Sequence, residues 1–145
     1  DGDLHGVEIG GTLIPTLIDE LPVIAVMASC ATGDTVIHDA AELRVKESDR
    51  IDTVDSNLNR LGVAAEALPD GMLIHGGHIE GGSVESYQDH RIAMSFAVAA
   101  LVADGPVEIG GAECVRISYP DFYRDLLGLQ ALTPLIGVLK RYQTT

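Results

Sequence analysis

Arg44-Val45-Lys46-Glu47-Ser48-Asp49-Arg50 runs straight into Ile51, Val54, Leu58 and Leu61, and this junction decides how the chain reads. Three fixed cations fall within seven residues of a 145-residue chain that has only nine Lys and Arg and a formal net charge of -13. Cations packed this closely suit a multiply charged anion, because each phosphate or carboxylate oxygen takes a charge-assisted donor. Glu47 adds a potential proton carrier to the same segment. On charge alone the stretch reads equally well as a solvated helix start, with Glu47 and Asp49 favourable near the positive end of a helix. Ser48 or Asp49 caps that helix, its apolar residues recur at helical spacing, and Gly62 stops it.

Upstream, Leu17, Leu21, Ile24, Ala28 and Ala31 predict a helix over Thr16 to Thr32, followed by Gly33 as a stop. Pro22 must lie in a first turn, which puts Asp19 at or near an N-cap. Thr35 to Asp39 reads as a strand. Downstream, Val63 to Ala67 and Met72 to His75 flank Pro69-Asp70-Gly71, a hairpin signal. Gly76 to Gly82 is a glycine-rich connection.

The second half repeats the first. A shift of 72 residues carries Ala25, Val26 and Ala28 onto Ala97, Val98 and Ala100, Gly33 onto Gly105, Ile37 onto Ile109, Ala40 onto Ala112, Arg44 onto Arg116 and Asp49 onto Asp121. Each unit reads helix, glycine stop, strand, basic connection, capped helix, and such internal similarity is organisational. In the second unit Ser118 with Pro120 marks a helix start, the proline in the first turn. The expected fold is α/β (α+β), with residues 1–133 forming part of one domain, two units at about 15–83 and 84–133, and a tail at 134–145.

Composition narrows the function. The 46% hydrophobic content supports a core built from Val, Ile, Leu and Ala, since aromatics are 4% and Trp is absent. No run of 18 or more apolar residues suggests a membrane span. A pI near 4.5 argues against nucleic acid or anionic membrane as a partner. Cys30 and Cys114 form no CxxC pair and fit a reducing, cytoplasmic setting. The chain opens on Asp1 without an initiator Met, so it reads as a piece of something longer. The five histidines lack metal-ligand spacing, and no metal site is expected.

Three further constellations carry possible chemistry. Asp89-His90-Arg91 leads into the apolar run Ile92 to Val102. A helix N-terminus with Arg91 is a ready anion site, although Asp89 also reads as an N-cap alone and His90 as a hydrogen-bonded structural histidine. Asp19, in Ile18-Asp19-Glu20-Leu21-Pro22, reads first as a cap. Arg116, within Glu113 to Asp121, is either a third anion ligand or the echo of Arg44.

Leu43 to Arg50 and Asp89-His90-Arg91-Ile92-Ala93-Met94 resemble, in order and separation, two signatures of the 5-enolpyruvylshikimate-3-phosphate synthases. Ile18 to Pro22 and Ser118-Tyr119-Pro120-Asp121-Phe122 resemble that family too, and the resemblance runs from about Asp3 to about Leu129. It implies a partial domain of βαβαββ units in pseudo-threefold arrangement, covering the C-terminal third of a longer enzyme. The implied activity is transfer of the enolpyruvyl group of phosphoenolpyruvate to the 5-hydroxyl of shikimate 3-phosphate, releasing phosphate without metal or organic cofactor. The implied roles are Glu47 as proton donor and elimination base, Asp19 orienting and deprotonating the hydroxyl, Lys46 bridging the substrates, Arg50 and Arg91 clamping phosphoenolpyruvate, and His90 assisting. Ile117 stands where the family often has Lys, beside Arg116 in a segment read as extended; Glu42 stands where some members have Asn. The other domain, outside this chain, would complete the site, and the chain alone is expected to turn over little or nothing. The competing readings are the related transferase acting on UDP-N-acetylglucosamine and an inert anion-binding structural fragment.

Overall fold

A computed structural model describes residues 3–131 of the chain. The expected tail at 134–145 lies outside the described residues. Six strands and five helices follow in order: β1 (Glu8–Ile9), α1 (Ile14–Leu17), α2 (Leu21–Ser29), β2 (Asp34–Ile37), α3 (Arg50–Arg60), β3 (Ala65–Leu68), β4 (Gly71–His75), β5 (Gly82–Glu85), α4 (His90–Ala100), β6 (Val107–Gly110) and α5 (Phe122–Ala131). Three 3₁₀ segments, Gly11–Leu13, Ala41–Val45 and Ala112–Ile117, join them.

The strands form a four-stranded sheet ordered β1-β2-β4-β3 and a two-stranded sheet of β5 and β6. β1 runs parallel to β2, while β4 is antiparallel to both β2 and β3. β5 and β6 are parallel, with Val84 opposite Ile109. Each parallel pair is bridged by a buried apolar helix, α2 in one case and α4 in the other. Two βαβ crossovers thus lay their helices against each other inside the molecule. Small residues permit the approach: Ala25 and Ala28 on α2, Ala93, Ala97 and Ala100 on α4 are all buried. Phe96, with no exposed surface, is the largest apolar side chain in this interior. The order helix, strand, 3₁₀ segment, helix occurs twice, as α2, β2, Ala41–Val45, α3 and again as α4, β6, Ala112–Ile117, α5.

α3 presents one apolar face, with Ile51, Val54 and Leu58 buried. Its N-cap is Asp49, whose carboxylate accepts from the Asp52 amide at 3.2 Å. Its end is a Schellman turn: Val63 N donates to Leu58 O and Gly62 N to Asn59 O, with Gly62 at φ 78°. The β3–β4 hairpin lies where Pro69-Asp70 signals it, one or two residues later than expected on its first strand.

Three local expectations need correction. The helix expected over Thr16 to Thr32 is two, α1 and α2, and the stretch Gly11–Leu17 that ends in α1 meets α2 at a bend of 109°. Pro22 has no amide to donate to Ile18, and its ring crowds that carbonyl, so α2 can only begin at Leu21. The break leaves Asp19 in a turn rather than on a helix face, and the residue at the N-cap is Glu20. Pro120 precedes α5 instead of occupying its first turn. The segment around Arg116 and Ile117 is a 3₁₀ helix, not extended, and it leaves Ile117 84% exposed.

Candidate functional site

The helical period places Arg50 in phase with Val54 and Leu58, on the buried stripe of α3. Its side chain is 1% exposed. A guanidinium cannot be neutralised by losing its proton, so it must be met by carboxylates. Three meet it. Arg50 Nε donates to Asp89 Oδ2 at 2.9 Å and Nη2 donates to Asp89 Oδ1 at 3.2 Å, a fork-to-fork pair. Nη2 also donates to Glu47 Oε2 at 2.6 Å, and Nη1 to Asp19 Oδ1 at 3.2 Å. Asp19, Glu47, Arg50 and Asp89, from three separate stretches of sequence, thus share one ion cluster.

Asp89 is fully buried and joins the two motifs. Its carboxylate takes the Arg50 fork, the Ser48 hydroxyl at 2.8 Å, and the Arg91 amide at 3.0 Å as N-cap of α4. Burial alone would raise its pKa; the hydrogen bonds from Arg50 and Ser48 overcome this and hold it below the usual carboxylate range. Burial likewise opposes the charge on Arg50, but the Asp89 bond and charge prevail and raise its pKa.

Around this cluster stand two more accessible cations. Lys46 Nζ lies 3.2 Å from Glu42 Oε1 and 3.8 Å from Asp19 Oδ1. Arg91 Nη1 donates to Glu20 Oε1 at 3.3 Å and reaches the Asp19 carbonyl at 3.5 Å. Both Asp19 and Glu47 are about half-exposed, at 45% and 54%. The layer facing solvent is therefore two carboxylates flanked by Lys46 and Arg91, with Arg50 and Asp89 behind. Such a surface can hold an anion between its cations and exchange protons through its carboxylates.

His90 is the first residue of α4, half-buried beside Arg91, and among the described residues no hydrogen bond or ion pair reaches its ring. The structural role that the sequence also offered for this histidine thus finds no protein partner for the ring among the described residues. Arg44 is engaged elsewhere. Its Nε and Nη2 donate to Pro69 O and Leu68 O at 2.8 and 2.6 Å, and its Nη1 to Asp49 and Asp52, both at 2.9 Å. It ties the hairpin to the start of α3.

The loop entering α4 is strained. Tyr87 and Gln88 sit at φ 54° and 59°, consecutive left-handed residues with side chains. Such positions cost of order 1–3 kcal/mol each and persist only where the surroundings over-determine them.

The model of one protein family, EPSP synthase (3-phosphoshikimate 1-carboxyvinyltransferase), matches residues 3–126, a span that contains every residue of this cluster. The chain belongs to the EPSP synthase family. Among curated members, a 3-phosphoshikimate 1-carboxyvinyltransferase of Thermoanaerobacter sp. (strain X514) is 60% identical over 122 residues, 83% of this chain and 29% of that protein. The enzyme of the same name from Bacillus cytotoxicus is 55% identical over 127 residues, 87% of this chain and 30% of its own length. A solved structure of EPSP synthase from Acinetobacter baumannii superposes with a TM-score of 0.81 at 42% identity, covering 84% of this chain and 29% of that one. The chain therefore has the family's fold as a partial domain, and spans about 29% of the length of the relatives it matches.

Two residues of the cluster escaped sequence reasoning as site components. Asp89 looked complete as a helix cap, and Ser48 as an alternative cap to Asp49. The signal for Asp89 was present, since an arginine in phase with Val54 and Leu58 demands a buried carboxylate from elsewhere. Which carboxylate could not be read from periodicity.

Proposed function

We propose that this chain supplies one wall of an enolpyruvyl-transfer site. There phosphoenolpyruvate and shikimate 3-phosphate give the 5-enolpyruvyl product and inorganic phosphate. The observation that carries this reading is the convergence of Asp19 and Glu47, two half-exposed carboxylates, on the Arg50 guanidinium, with Lys46 and Arg91 on the flanks.

In this scheme Glu47 donates a proton to the phosphoenolpyruvate methylene as the shikimate hydroxyl oxygen bonds to the adjacent carbon. Asp19 orients that hydroxyl and takes its proton. The tetrahedral adduct then loses a methyl proton to Glu47 and its phosphate leaves, which restores the enol double bond on the new ether. Lys46 bridges the two substrates. Arg50 and Arg91 clamp phosphoenolpyruvate and His90 assists beside them. For Arg50 the clamp requires Asp19 and Glu47 to swing partly aside, which their exposure permits. Holding two anions in line while donors wait for the developing charge is the main source of rate acceleration open to such a site.

The remaining length of the relatives is proposed to supply the opposite wall, including most contacts to shikimate 3-phosphate. The two-unit division at about 15–83 and 84–133 belongs to the same reading, supported by the recurring element order. Cys30 and Cys114 are free thiols, which supports a cytoplasmic setting. Among the described residues no single helix is long and apolar enough to cross a membrane.

Phosphate release tests the proposal. The complete enzyme carrying this segment is expected to release phosphate only when both substrates are present, and this chain alone to release almost none. Full-enzyme rates from the isolated chain, or no release from the complete enzyme, would refute it.

A further inference from the structure

Resting on that functional reading, we infer that Ser86 is a positioning residue: it pins the left-handed Tyr87-Gln88 turn and thereby sets the Asp89 carboxylate that holds the Arg50 guanidinium and caps the helix bearing Arg91. Ser86 is fully buried and tied on every side. Its amide donates to Gly110 O at 3.0 Å, and its hydroxyl donates to Gly111 O at 3.1 Å. The same hydroxyl accepts from the Gln88 amide at 3.3 Å, and its carbonyl accepts from the Asp89 amide at 3.0 Å. The last bond closes a four-residue turn, Ser86 to Asp89, with positive φ at both central positions. That geometry is normally filled by Asn or Gly. Tyr87 and Gln88 do not favour it, so it is held by the bonds from Ser86 together with the one the Tyr87 amide donates to Glu85 Oε1 at 3.2 Å.

The platform beneath the turn is equally specific. Asn57, fully buried on α3, clamps the Glu85 backbone by donating to its carbonyl at 2.8 Å and accepting from its amide at 3.1 Å. Gly111, at φ 70°, lies directly under the turn. A Cβ there would stand 2.5 Å from Ser86 Oγ and 2.8 Å from Gln88 Nε2. The chain before the turn is thus anchored to α3 and the turn itself to the end of β6. Asp89 is itself the last residue of the turn. Without the Ser86 hydroxyl, Gln88 loses an amide partner and Gly111 a carbonyl partner. Left-handed backbone is then no longer over-determined, and the carboxylate that forks onto Arg50 shifts with it.

The test uses the complete enzyme. Ser86→Ala is expected to raise the KM for phosphoenolpyruvate about ten-fold, and Ser86→Thr, which keeps the hydroxyl, to stay near the parent. Gln88→Gly in the Ser86→Ala background should restore most of that KM, because glycine holds positive φ without a pin. The nuclear magnetic resonance signal of the Arg50 Nε–H, protected by Asp89 in the parent, should be lost in Ser86→Ala and return in the double variant. An Arg50 signal unchanged in Ser86→Ala would overturn the inference, as would a KM defect that glycine at position 88 does not relieve. If the parent enzyme did not use phosphoenolpyruvate, the functional reading would fall. The Arg50 signal would still decide whether Ser86 sets this pair.

Discussion

Arg50 and Asp89 form a fork-to-fork ion pair, at 2.9 and 3.2 Å, in which neither side chain reaches solvent. Arg50 opens α3 and Asp89 caps α4, so the pair locks together the N-termini of two helices that carry most of the candidate site. Removing one partner of a buried pair strands the other in a low-dielectric interior, at a cost of about 3–5 kcal/mol. Asp89→Asn keeps the size and part of the cap but cannot neutralise the guanidinium. In the complete enzyme it is expected to lower the urea unfolding free energy of this domain by several kcal/mol. A loss no larger than that of a surface Asp→Asn variant would show that water or a neighbour compensates Arg50.

The same pair sets an acid limit. The pKa of Asp89 is depressed in the folded state, so the unfolded chain binds the proton more readily. Stability contributed by Asp89 is then present above the unfolded carboxylate value, about 3.9, and is lost as pH falls through the lower folded value. Arg50 titrates far above this range in both states and adds no slope. Acid unfolding should therefore be less steep in Asp89→Asn than in the parent below about pH 4. Parallel acid curves for the two proteins would contradict this assignment.

Glu47 is where binding and chemistry should separate. It contacts Arg50 Nη2 but is half-exposed, and among the described residues no backbone bond depends on it. Glu47→Gln keeps the shape and a hydrogen-bonding group while removing the transferable proton. In the complete enzyme, turnover should fall by at least about 100-fold, the low end for loss of a general acid–base group. Phosphoenolpyruvate binding, followed by ligand-dependent thermal shift with shikimate 3-phosphate present, should change little. Equal loss of binding would make Glu47 structural.

The elements most legible in the sequence were those fixed by local chemistry. Asp49 caps α3 and Gly62 ends it because both act within a few residues of themselves. The Pro69-Asp70 hairpin and the α4 run obey the same logic. Pro22 was rightly confined to a first turn, but its consequence, a break releasing Asp19, depends on α1 folding away at a large angle, and periodicity carried the helix through. Of the site, Asp19, Lys46, Glu47, Arg50 and Arg91 were singled out from the sequence, and the fold brings them together. Their internal pairing was not legible. Whether Arg50 meets solvent or Asp89 depends on how α3 packs against α4, which no local pattern encodes. Arg116 shows the reverse failure: the repeat matched it to Arg44, yet the hairpin that occupies Arg44 has no counterpart beside it among the described residues.

Arg44 began as one of three cations in an anion-binding stretch and is, in the fold, a strut. Its four donor contacts run to Leu68, Pro69, Asp49 and Asp52, joining the β3–β4 turn to the first turn of α3. The hydrogen bonds to Asp52 and Asp49 raise its pKa, so it stays charged at any working pH. None of these four contacts involves Asp19, Glu47 or Asp89. Arg44→Ala should leave the hairpin carbonyls and the Asp49 cap without their shared donor, and so lower the melting temperature of the complete enzyme. It should change kcat and the KM for phosphoenolpyruvate by no more than about two-fold, because only the scaffold behind the site is altered. Lys46→Ala, two residues away, should do the opposite, raising KM sharply with little effect on melting, since among the described residues Lys46 pairs only with half-exposed or exposed carboxylates at the open face. A large KM change in Arg44→Ala with an unchanged melting temperature would return Arg44 to the binding surface.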